Sequence, residues 1–213
     1  MHNRKRVAVA TAVCATLVVA VAQGSKIDFE KDDVGKSPTG FSFALTGQGK
    51  PGVWIVNKDD QAHRNVLVQT DADKTDYRFP VAVYDSFASK DVDVSVQFKA
   101  LSGRGDQGAG IVWRYRDQNN YYITRCNALE DNCTIYHVIN GRRVAFLNQN
   151  VKVASNVWHT LRVEAVADHF VVTYDGKKVL DAKDGTFKDA GKVGLWTKAD
   201  SVIAFDDFFL AAR

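Results

Sequence analysis

The sequence is poor in the features that divide a chain into domains. It has only 3 proline and 3 cysteine residues among 213, and it contains no proline-rich or serine-rich linker, no charge block and no internal repeat. These absences favour a single domain, because a chain of this length can bury one good core. From residue 23 onward, no stretch of ten residues has the i, i+3, i+4, i+7 apolar spacing of a helix, so a helical fold is excluded.

The N-terminus has the parts of a secretory signal. Residues 4–6 are basic, residues 7–22 are uncharged, and Ala20-Val21-Ala22 is a small-x-small cleavage pattern. The uncharged run is shorter than the ~20 residues of a membrane-spanning helix. We therefore predict a signal helix within residues 1–22, cleavage after Ala22, and a secreted or periplasmic domain over residues 23–213. An uncleaved anchor is the alternative, and it also leaves the domain outside the cytoplasm.

Excess charge is absent once this leader is removed. The leader holds three of the 28 Lys and Arg and none of the 25 Asp and Glu, so the rest of the chain carries 25 of each sign. A neutral chain has no positive field to attract a phosphate backbone, and we expect no nucleic-acid partner. We also expect no stable membrane insertion after cleavage.

Cysteine is scarce but paired. Cys14 lies in the leader, which leaves Cys126 and Cys133 in an oxidising compartment. We predict a disulfide between them that closes a short loop, with two free thiols as the alternative. The spacing does not match a Cys-x-x-Cys redox or zinc site.

Period-two alternation dominates the rest of the chain. Val92–Phe98 and Trp158–Glu164 alternate without a slip, and Asp175-Gly176 and Asn140-Gly141 are hairpin turn signals. Further strands are predicted at Gly52–Asn57, Asn65–Thr70, Arg78–Tyr84, Ala109–Tyr115, Tyr121–Asn127, Cys133–Ile139, Arg142–Leu147, Phe170–Tyr174, Gly191–Thr197 and Val202–Leu210. The pattern predicts an all-β, two-sheet antiparallel jelly-roll sandwich. One sheet should leave a curved, polar outer face free for a ligand.

Several of these strands resemble a known superfamily. The matching segments are Gly110-Ile111-Val112-Trp113-Arg114, Asn120-Tyr121-Tyr122-Ile123-Thr124-Arg125, Trp158–Val163, Tyr174–Lys177, Gly191–Thr197 and Phe205–Phe208. They resemble the concanavalin A-like and laminin-G-like superfamily, in particular the 3-keto-disaccharide hydrolase (family 16 glycoside hydrolase-like) domain, over roughly residues 27–210. This superfamily includes lectins, adhesion modules and hydrolases, so the resemblance implies the fold more firmly than the activity.

The resemblance also implies a ligand-binding set. Arg114 and Arg125 take the strand-end arginine positions of two neighbouring family strands, and Trp196 and Lys198 come from a strand that lines the same concavity. Sugars are recognised by aromatic stacking and bidentate polar contacts, which these side chains supply. We expect the four residues to share one outer face. The alternative is that the arginines pair with acids and Trp196 packs inward.

Four acids near the termini form a second candidate site. Terminal strands run side by side in sandwiches of this type, which would bring Asp28 and Glu30 close to Asp206 and Asp207. Carboxylate oxygens suit Ca²⁺, and we predict either a structural Ca²⁺ here or ordinary surface acids. No other cofactor is expected.

No catalytic residue can be assigned from the sequence. A glycosidase needs two carboxylates across the scissile bond, and the Glu-x-Asp-x-x-Glu motif of family 16 glucanases is absent. The acidic pairs Asp71/Asp73 and Asp91/Asp93 suit turns and strand ends better than catalysis. The leading hypothesis is an exported, non-catalytic carbohydrate-binding or surface-interaction module. The alternatives are a 3-keto-disaccharide hydrolase and a structural domain that meets a protein partner through a sheet edge.

Overall fold

The computed structural model describes residues 24–61 and 63–213, which form two β-sheets. The eight-stranded sheet contains β1 (Ser25–Ile27), β3 (Trp54–Asp59), β4 (Arg64–Gln69), β6 (Val92–Ser102), β11 (His159–Val166), β12 (His169–Tyr174), β13 (Lys177–Lys183) and β15 (Val202–Ala212). The seven-stranded sheet contains β2 (Phe41–Gly47), β5 (Arg78–Ser89), β7 (Gly108–Asp117), β8 (Asn120–Asn127), β9 (Asn132–Ile139), β10 (Arg142–Asn150) and β14 (Gly191–Thr197). The predicted all-β sandwich is confirmed. The predicted signal helix lies outside the described residues.

Every strand pairing is antiparallel. The eight-stranded sheet runs β13-β12-β11-β6-β15-β4-β3, and β1 pairs with the far end of β15. The seven-stranded sheet runs β10-β9-β8-β7-β14-β5-β2. No helix in the described part of the chain is long and apolar enough to cross a membrane.

The main core lies between the sheets and follows from the alternation in the sequence. Successive apolar positions of β6 are buried, and the facing strands contribute large aromatic side chains in the same way. Members from both layers include Val94, Val96, Phe98, Leu161, Val163, Trp113, Tyr122, Ile135 and Leu195. Their burial drives the two layers together.

Three strands were not predicted from the sequence, namely β1, β2 and β13. Each has only one neighbouring strand in its sheet. Edge strands bury less of their surface, so the alternation is weaker; Phe43 in β2, for example, is 41% exposed. All the predicted strands are present, with ends that differ by a few residues.

The outer face of the seven-stranded sheet carries a second apolar core, which was not expected. Nine of its residues are buried: Phe79, Val81, Val83, Val112, Tyr121, Ile123, Tyr136, Val138 and Trp196. The prediction of a polar outer face is therefore wrong for the middle of this sheet. Strands β5, β7, β8, β9 and β14 are apolar on both faces, as strands covered on both sides must be.

The sheet curls around this second core until distant strands meet. The Thr46 hydroxyl of β2 lies 2.7 Å from the Tyr121 hydroxyl of β8, although β5, β14 and β7 separate the two strands in the sheet. The Tyr77 hydroxyl donates to the Gly141 carbonyl at 3.0 Å and accepts from the Arg143 amide at 2.7 Å. These contacts close the centre of the concave face with the protein's own side chains.

Candidate ligand-binding face

Two of the predicted ligand residues do share the outer face of the seven-stranded sheet. Trp196 in β14 pairs with Gly110 in β7, which pairs with Arg125 in β8. Residues paired in this way point to the same side of a sheet. Trp196 is fully buried, however, and stacks on Phe79 with ring centroids 5.3 Å apart. The predicted flat platform is part of the second core.

Arg125 lies in a network with the loop that joins β8 to β9. Its guanidinium donates to Glu130 at 2.6 Å, to the Tyr136 hydroxyl at 2.9 Å, and to Asn132. The predicted disulfide is confirmed between Cys126 and Cys133, at the base of the same loop. The disulfide ties the two strands together directly behind the Arg125 side chain.

Lys198 lies in the same region and pairs with two aspartates. Its ammonium group is 2.8 Å from Asp106 and 3.0 Å from Asp76. Asp106 is buried and accepts a hydrogen bond from Asn127 at 2.8 Å. The Asp200 carboxylate fixes the Asp106 loop by accepting its backbone N–H groups, including that of Asp106 at 2.9 Å. We call Asp106, Arg125, Glu130 and Lys198 the Arg125 cluster.

The two carboxylates of the Arg125 cluster have pKa values shifted in opposite directions. Burial raises the pKa of Asp106, and the hydrogen bond from Lys198 only partly offsets it. Burial would also raise the pKa of Glu130, but the charge of Arg125 and its hydrogen bond outweigh that effect and lower the pKa. Such a split is how enzymes separate an acid from a base.

Arg143 is a half-buried cation without a carboxylate partner among the described residues. Its guanidinium carbon lies 4.4 Å from the ring centroid of Phe79 and 4.5 Å from that of Tyr136. Its Nη1, like the Nε of Arg125, is buried and has no hydrogen-bond acceptor in the described chain. Arg143 is held by aromatic rings rather than by an ion pair.

Arg114 does not lie on the outer face, and the expectation that it does is wrong. It is 1% exposed, and its guanidinium lies 5.6 Å from the ring centroid of Phe170, a member of the main core. It donates to the carbonyl oxygens of Lys90 at 2.8 Å and Phe187 at 2.7 Å, and also to that of Ala167. Arg114 therefore ties three loops together at one end of the sandwich.

A β-bulge explains why Arg114 faces inward. The register of β7 against β8 shifts between Trp113 and Asp117, and Arg114 has a φ of 47°. A bulge inserts one extra residue and reverses the faces beyond it. Tyr115, the next residue, consequently packs against the second core on the outer face.

An open cleft lies beside Tyr115 on this outer face, and sequence reasoning missed it. It has a volume of about 420 Å³. Its apolar floor includes Ala44 and Val83, while polar side chains and the Tyr115 ring form its walls. We call it the Tyr115 cleft; its side-chain walls are formed by Ser42, Asp85, Tyr115, Arg116 and Lys192.

Hydrogen bonds and ion pairs hold the polar side chains of the Tyr115 cleft in place. The Lys192 ammonium lies 2.7 Å from one oxygen of Asp85, and the Ser42 hydroxyl donates to the other at 2.7 Å. The hydrogen bond from Lys192, followed by that from Ser42, lowers the pKa of Asp85. Burial raises the pKa of Tyr115 to about 12, so its hydroxyl stays protonated. The cleft thus offers a carboxylate acceptor, cationic donors and an aromatic ring.

The four predicted calcium ligands are not arranged to hold a metal. Asp206 lies 2.8 Å from Arg64, and Asp207 lies 2.6 Å from Lys26, so both carboxylates already have cationic partners. Asp28 accepts from the backbone of its own turn, and Glu30 accepts the Asn65 amide. No group of three or more acidic, histidine or cysteine side chains in the described residues could hold an ion. This donor set does not fit Ca²⁺.

The two acidic pairs considered for catalysis each serve the backbone or a cation. Asp73 accepts from the amides of Lys50 and Thr75 in its turn. Asp91 accepts the Ala167 amide at 2.8 Å, while Asp93 forms a bidentate pair with Arg162. Asp71 pairs with Arg78 at 2.9 Å, so all four carboxylates have partners within the protein.

Comparisons with solved structures support the fold. A carbohydrate-binding module, CBM66 of Bacillus subtilis, is 20% identical over 80% of this chain and 95% of its own, with a TM-score of 0.64. The exoplasmic domain of VIP36 in its Ca²⁺- and mannose-bound form is 12% identical over 89% of both chains, with a TM-score of 0.62. The carbohydrate recognition domain of Emp47p is 12% identical over 92% of this chain and 99% of its own, with a TM-score of 0.58.

The family of the chain follows from a match over almost the whole described region. No curated protein shows significant similarity to the chain. The 3-keto-alpha-glucoside-1,2-lyase-like domain matches residues 29–211, as the resemblance of the β7, β8, β11 and β14 motifs implied. The chain therefore belongs to the family of 3-keto-alpha-glucoside-1,2-lyase-like domains.

Proposed function

We propose that this chain is a non-catalytic carbohydrate-binding module whose sugar site is the Tyr115 cleft. The observation that carries the proposal is the cleft itself, an open space beside an aromatic ring on a concave face whose centre is closed by the protein's own side chains. Pockets for small ligands typically measure ~300–1,000 Å³ and combine an apolar surface with a few polar groups. The cleft, at about 420 Å³, meets this description.

The chemistry of the cleft suits a sugar. The Tyr115 ring and the Ala44 and Val83 methyl groups can cover the C–H face of a pyranose or furanose ring. Arg116 and Lys192 donate hydrogen bonds to hydroxyls, and Asp85 accepts them. Similar folds in a carbohydrate-binding module and in a mannose-bound lectin domain support this class of ligand.

Glycan panel binding with cleft variants tests the proposal. We expect saturable binding to at least one neutral oligosaccharide, and Tyr115→Ala or Arg116→Ala to weaken it about tenfold or more, because each removes a central contact. Arg142→Ala is the matched control, since Arg142 is an exposed arginine of the same sheet. Absence of binding across the panel would refute the proposal.

Arg125→Ala distinguishes binding in the Tyr115 cleft from binding at Arg125 and Lys198, which the sequence predicted. If the sugar binds in the Tyr115 cleft, Arg125→Ala should retain affinity as long as the variant remains folded by circular dichroism. If affinity is lost with the fold intact, and the cleft variants bind normally, then Arg125 and Lys198 hold the ligand.

A 3-keto-disaccharide hydrolase is the second candidate, and the Arg125 cluster favours it. Asp106, with a raised pKa, has the protonation behaviour of a general acid, and Glu130, with a lowered pKa, that of a base. Against this role, Asp106 is 1% exposed and bound to Lys198. Turnover of a 3-keto-disaccharide that disappears in both Asp106→Asn and Glu130→Gln would establish the enzyme.

Export completes the proposal. The basic start, the uncharged run and the Ala20-Val21-Ala22 pattern support cleavage after Ala22. Expression of the full chain with N-terminal sequencing of the exported product tests this. A mature N-terminus at Gln23 is expected, and retention of the uncleaved chain in the cytoplasm would contradict it.

A further inference from the structure

The outer face of the eight-stranded sheet carries an apolar floor separate from the main core. Val66 and Val68 of β4 and Ala204 of β15 are buried there and form their own cluster with Leu101 and Trp158 at its margin. A solvated sheet face alternates to polar residues, and these side chains do not contribute to the contact between the sheets. The contact between the two sheets therefore does not account for this apolar floor.

A pocket of about 210 Å³ opens above this floor. Two amide side chains, those of Asn57 and Gln61, stand at its rim beside Lys58 and Asp60. This volume is below the ~300–1,000 Å³ of pockets for drug-sized ligands, so the space suits a single ring. We call it the Lys99 pocket after the lysine in its wall.

The wall of the Lys99 pocket is a fixed polar network. The Lys99 ammonium and the Trp158 indole N–H both donate to the same carboxylate oxygen of Asp59, at 2.6 Å and 3.0 Å. Two cations also lie over the Trp158 ring, Lys99 at 5.1 Å from its centroid and Arg64 at 4.7 Å. A buried ion pair of this kind adds little net stability because of its desolvation cost, but it orients charged groups at the edge of the pocket.

The charges around the pocket indicate a neutral ligand. Lys58 and Lys99 are balanced by Asp59 and Asp60, so the lining carries no net charge. An apolar floor below a rim of amides, carboxylates and ammonium groups matches the two sides of a sugar ring, whose C–H face is apolar and whose hydroxyls both donate and accept. A purely apolar ligand would cover the amide side chains of Asn57 and Gln61 without offering them hydrogen bonds.

We infer that the Lys99 pocket is a second sugar-binding site, which takes one ring of a neutral glycan. The ligand class rests on the proposed function, while the location is independent of it. The pocket and the Tyr115 cleft lie on outer faces of opposite sheets. A module with two such sites would bridge two glycan chains or bind one surface with increased avidity.

The indole N–H signals of the four tryptophans give a direct test by NMR. Trp158 donates to Asp59 in the pocket wall, whereas the Tyr115 cleft has no tryptophan in its lining. The probes are methyl α-glucoside, methyl α-mannoside and glucuronate, and the Trp158 signal is assigned with Trp158→Phe. We expect a neutral methyl glycoside to shift the Trp158 signal in a saturable manner, and glucuronate to bind more weakly.

Rim variants complete the test. Gln61→Ala and Asn57→Ala should each weaken the Trp158 response about fivefold, because each removes a hydrogen bond to the sugar. Gln149→Ala is the control, because Gln149 is an exposed glutamine on the other sheet.

The Trp158 response should persist in the Tyr115→Ala variant. No Trp158 shift with any probe, or a shift that is lost in Tyr115→Ala, would overturn the inference. A third outcome separates the two proposals. If Tyr115→Ala and Arg116→Ala leave glycan-panel binding unchanged while the Trp158 shift persists, the Tyr115 cleft is refuted as a sugar site and the Lys99 pocket is supported.

Discussion

The guanidinium of Arg143 lies 5.5 Å from the ring centroid of Trp196 and covers it. The same guanidinium contacts the rings of Phe79 and Tyr136. Arg143 therefore takes the place above Trp196 where a sugar ring would have to stack. Trp196, the predicted binding platform, is therefore covered by the protein's own side chains. The Tyr115 cleft is an open space on the same face.

Arg143→Ala should destabilise the protein by about 2 kcal/mol. Cation–π contacts with several desolvated rings are each worth ~0.5–2 kcal/mol, and their removal would expose the second core to water. Urea unfolding measures the change. Arg142→Ala is the control, because Arg142 is exposed and should change stability by less than about 0.5 kcal/mol. Equal stability of the two variants would show that the rings do not depend on the Arg143 cation.

Arg114→Ala should destabilise the fold far more than Arg116→Ala. Arg114 is buried and donates to three loop carbonyls, and each carbonyl left without a donor costs about 1–3 kcal/mol. Arg116, two residues away, is exposed and pairs with Asp189 on the surface, where a pair contributes at most about 1 kcal/mol. Thermal unfolding should show a large loss for Arg114→Ala only. A stable Arg114→Ala variant would contradict the structural role.

The fold could be predicted because its information is local. Alternation in β6 and β11, and the Asp175-Gly176 and Asn140-Gly141 turns, each specify strands without knowledge of the rest of the chain. The disulfide also followed from two cysteines alone. Strands β1, β2 and β13 were missed because each has only one neighbouring strand and needs only one apolar face, which weakens the signal.

The site could not be predicted in the same way because it depends on one bulge and on curvature. Strict alternation of side chains along β7 would place Arg114 on the outer face. The bulge at Arg114 shifts the alternation by one residue, so that Tyr115 lies on the outer face instead. Trp196 was assigned to the right face, yet the curl that brings Tyr77 to Gly141 buries it. The positive φ of a non-glycine residue has no signature in a single sequence.

Calcium should not change the stability of this protein. Asp206 and Asp207 already form ion pairs with Arg64 and Lys26. An added cation would therefore have to displace both partners. We expect the same melting temperature in EDTA and in millimolar Ca²⁺. An increase of several degrees with Ca²⁺ that is absent in Asp207→Asn would show that these acids bind the ion after all.

The contribution of Asp206 to the free energy of unfolding should decrease as the pH rises from 4 to 6. Burial raises the pKa of this carboxyl from 3.8 to about 6, although the amide of Asp207 and the charge of Arg64 partly oppose the shift. Between these two values the folded protein binds more protons than the unfolded chain, so Asp206 favours folding fully below pH 3.8 and loses that contribution as the pH passes 6. The expected change is about 2 kcal/mol, less than the full shift implies because Arg64 and water screen part of the charge. The side chain introduced in the Asp206→Asn variant cannot ionise, so the unfolding free energy of the wild type minus that of the variant should fall by about 2 kcal/mol as the pH rises over this window. Asp189→Asn, a substitution of an exposed acid, should run parallel to the wild type. Parallel curves for Asp206→Asn as well would mean that its carboxyl ionises equally in the folded and unfolded chains.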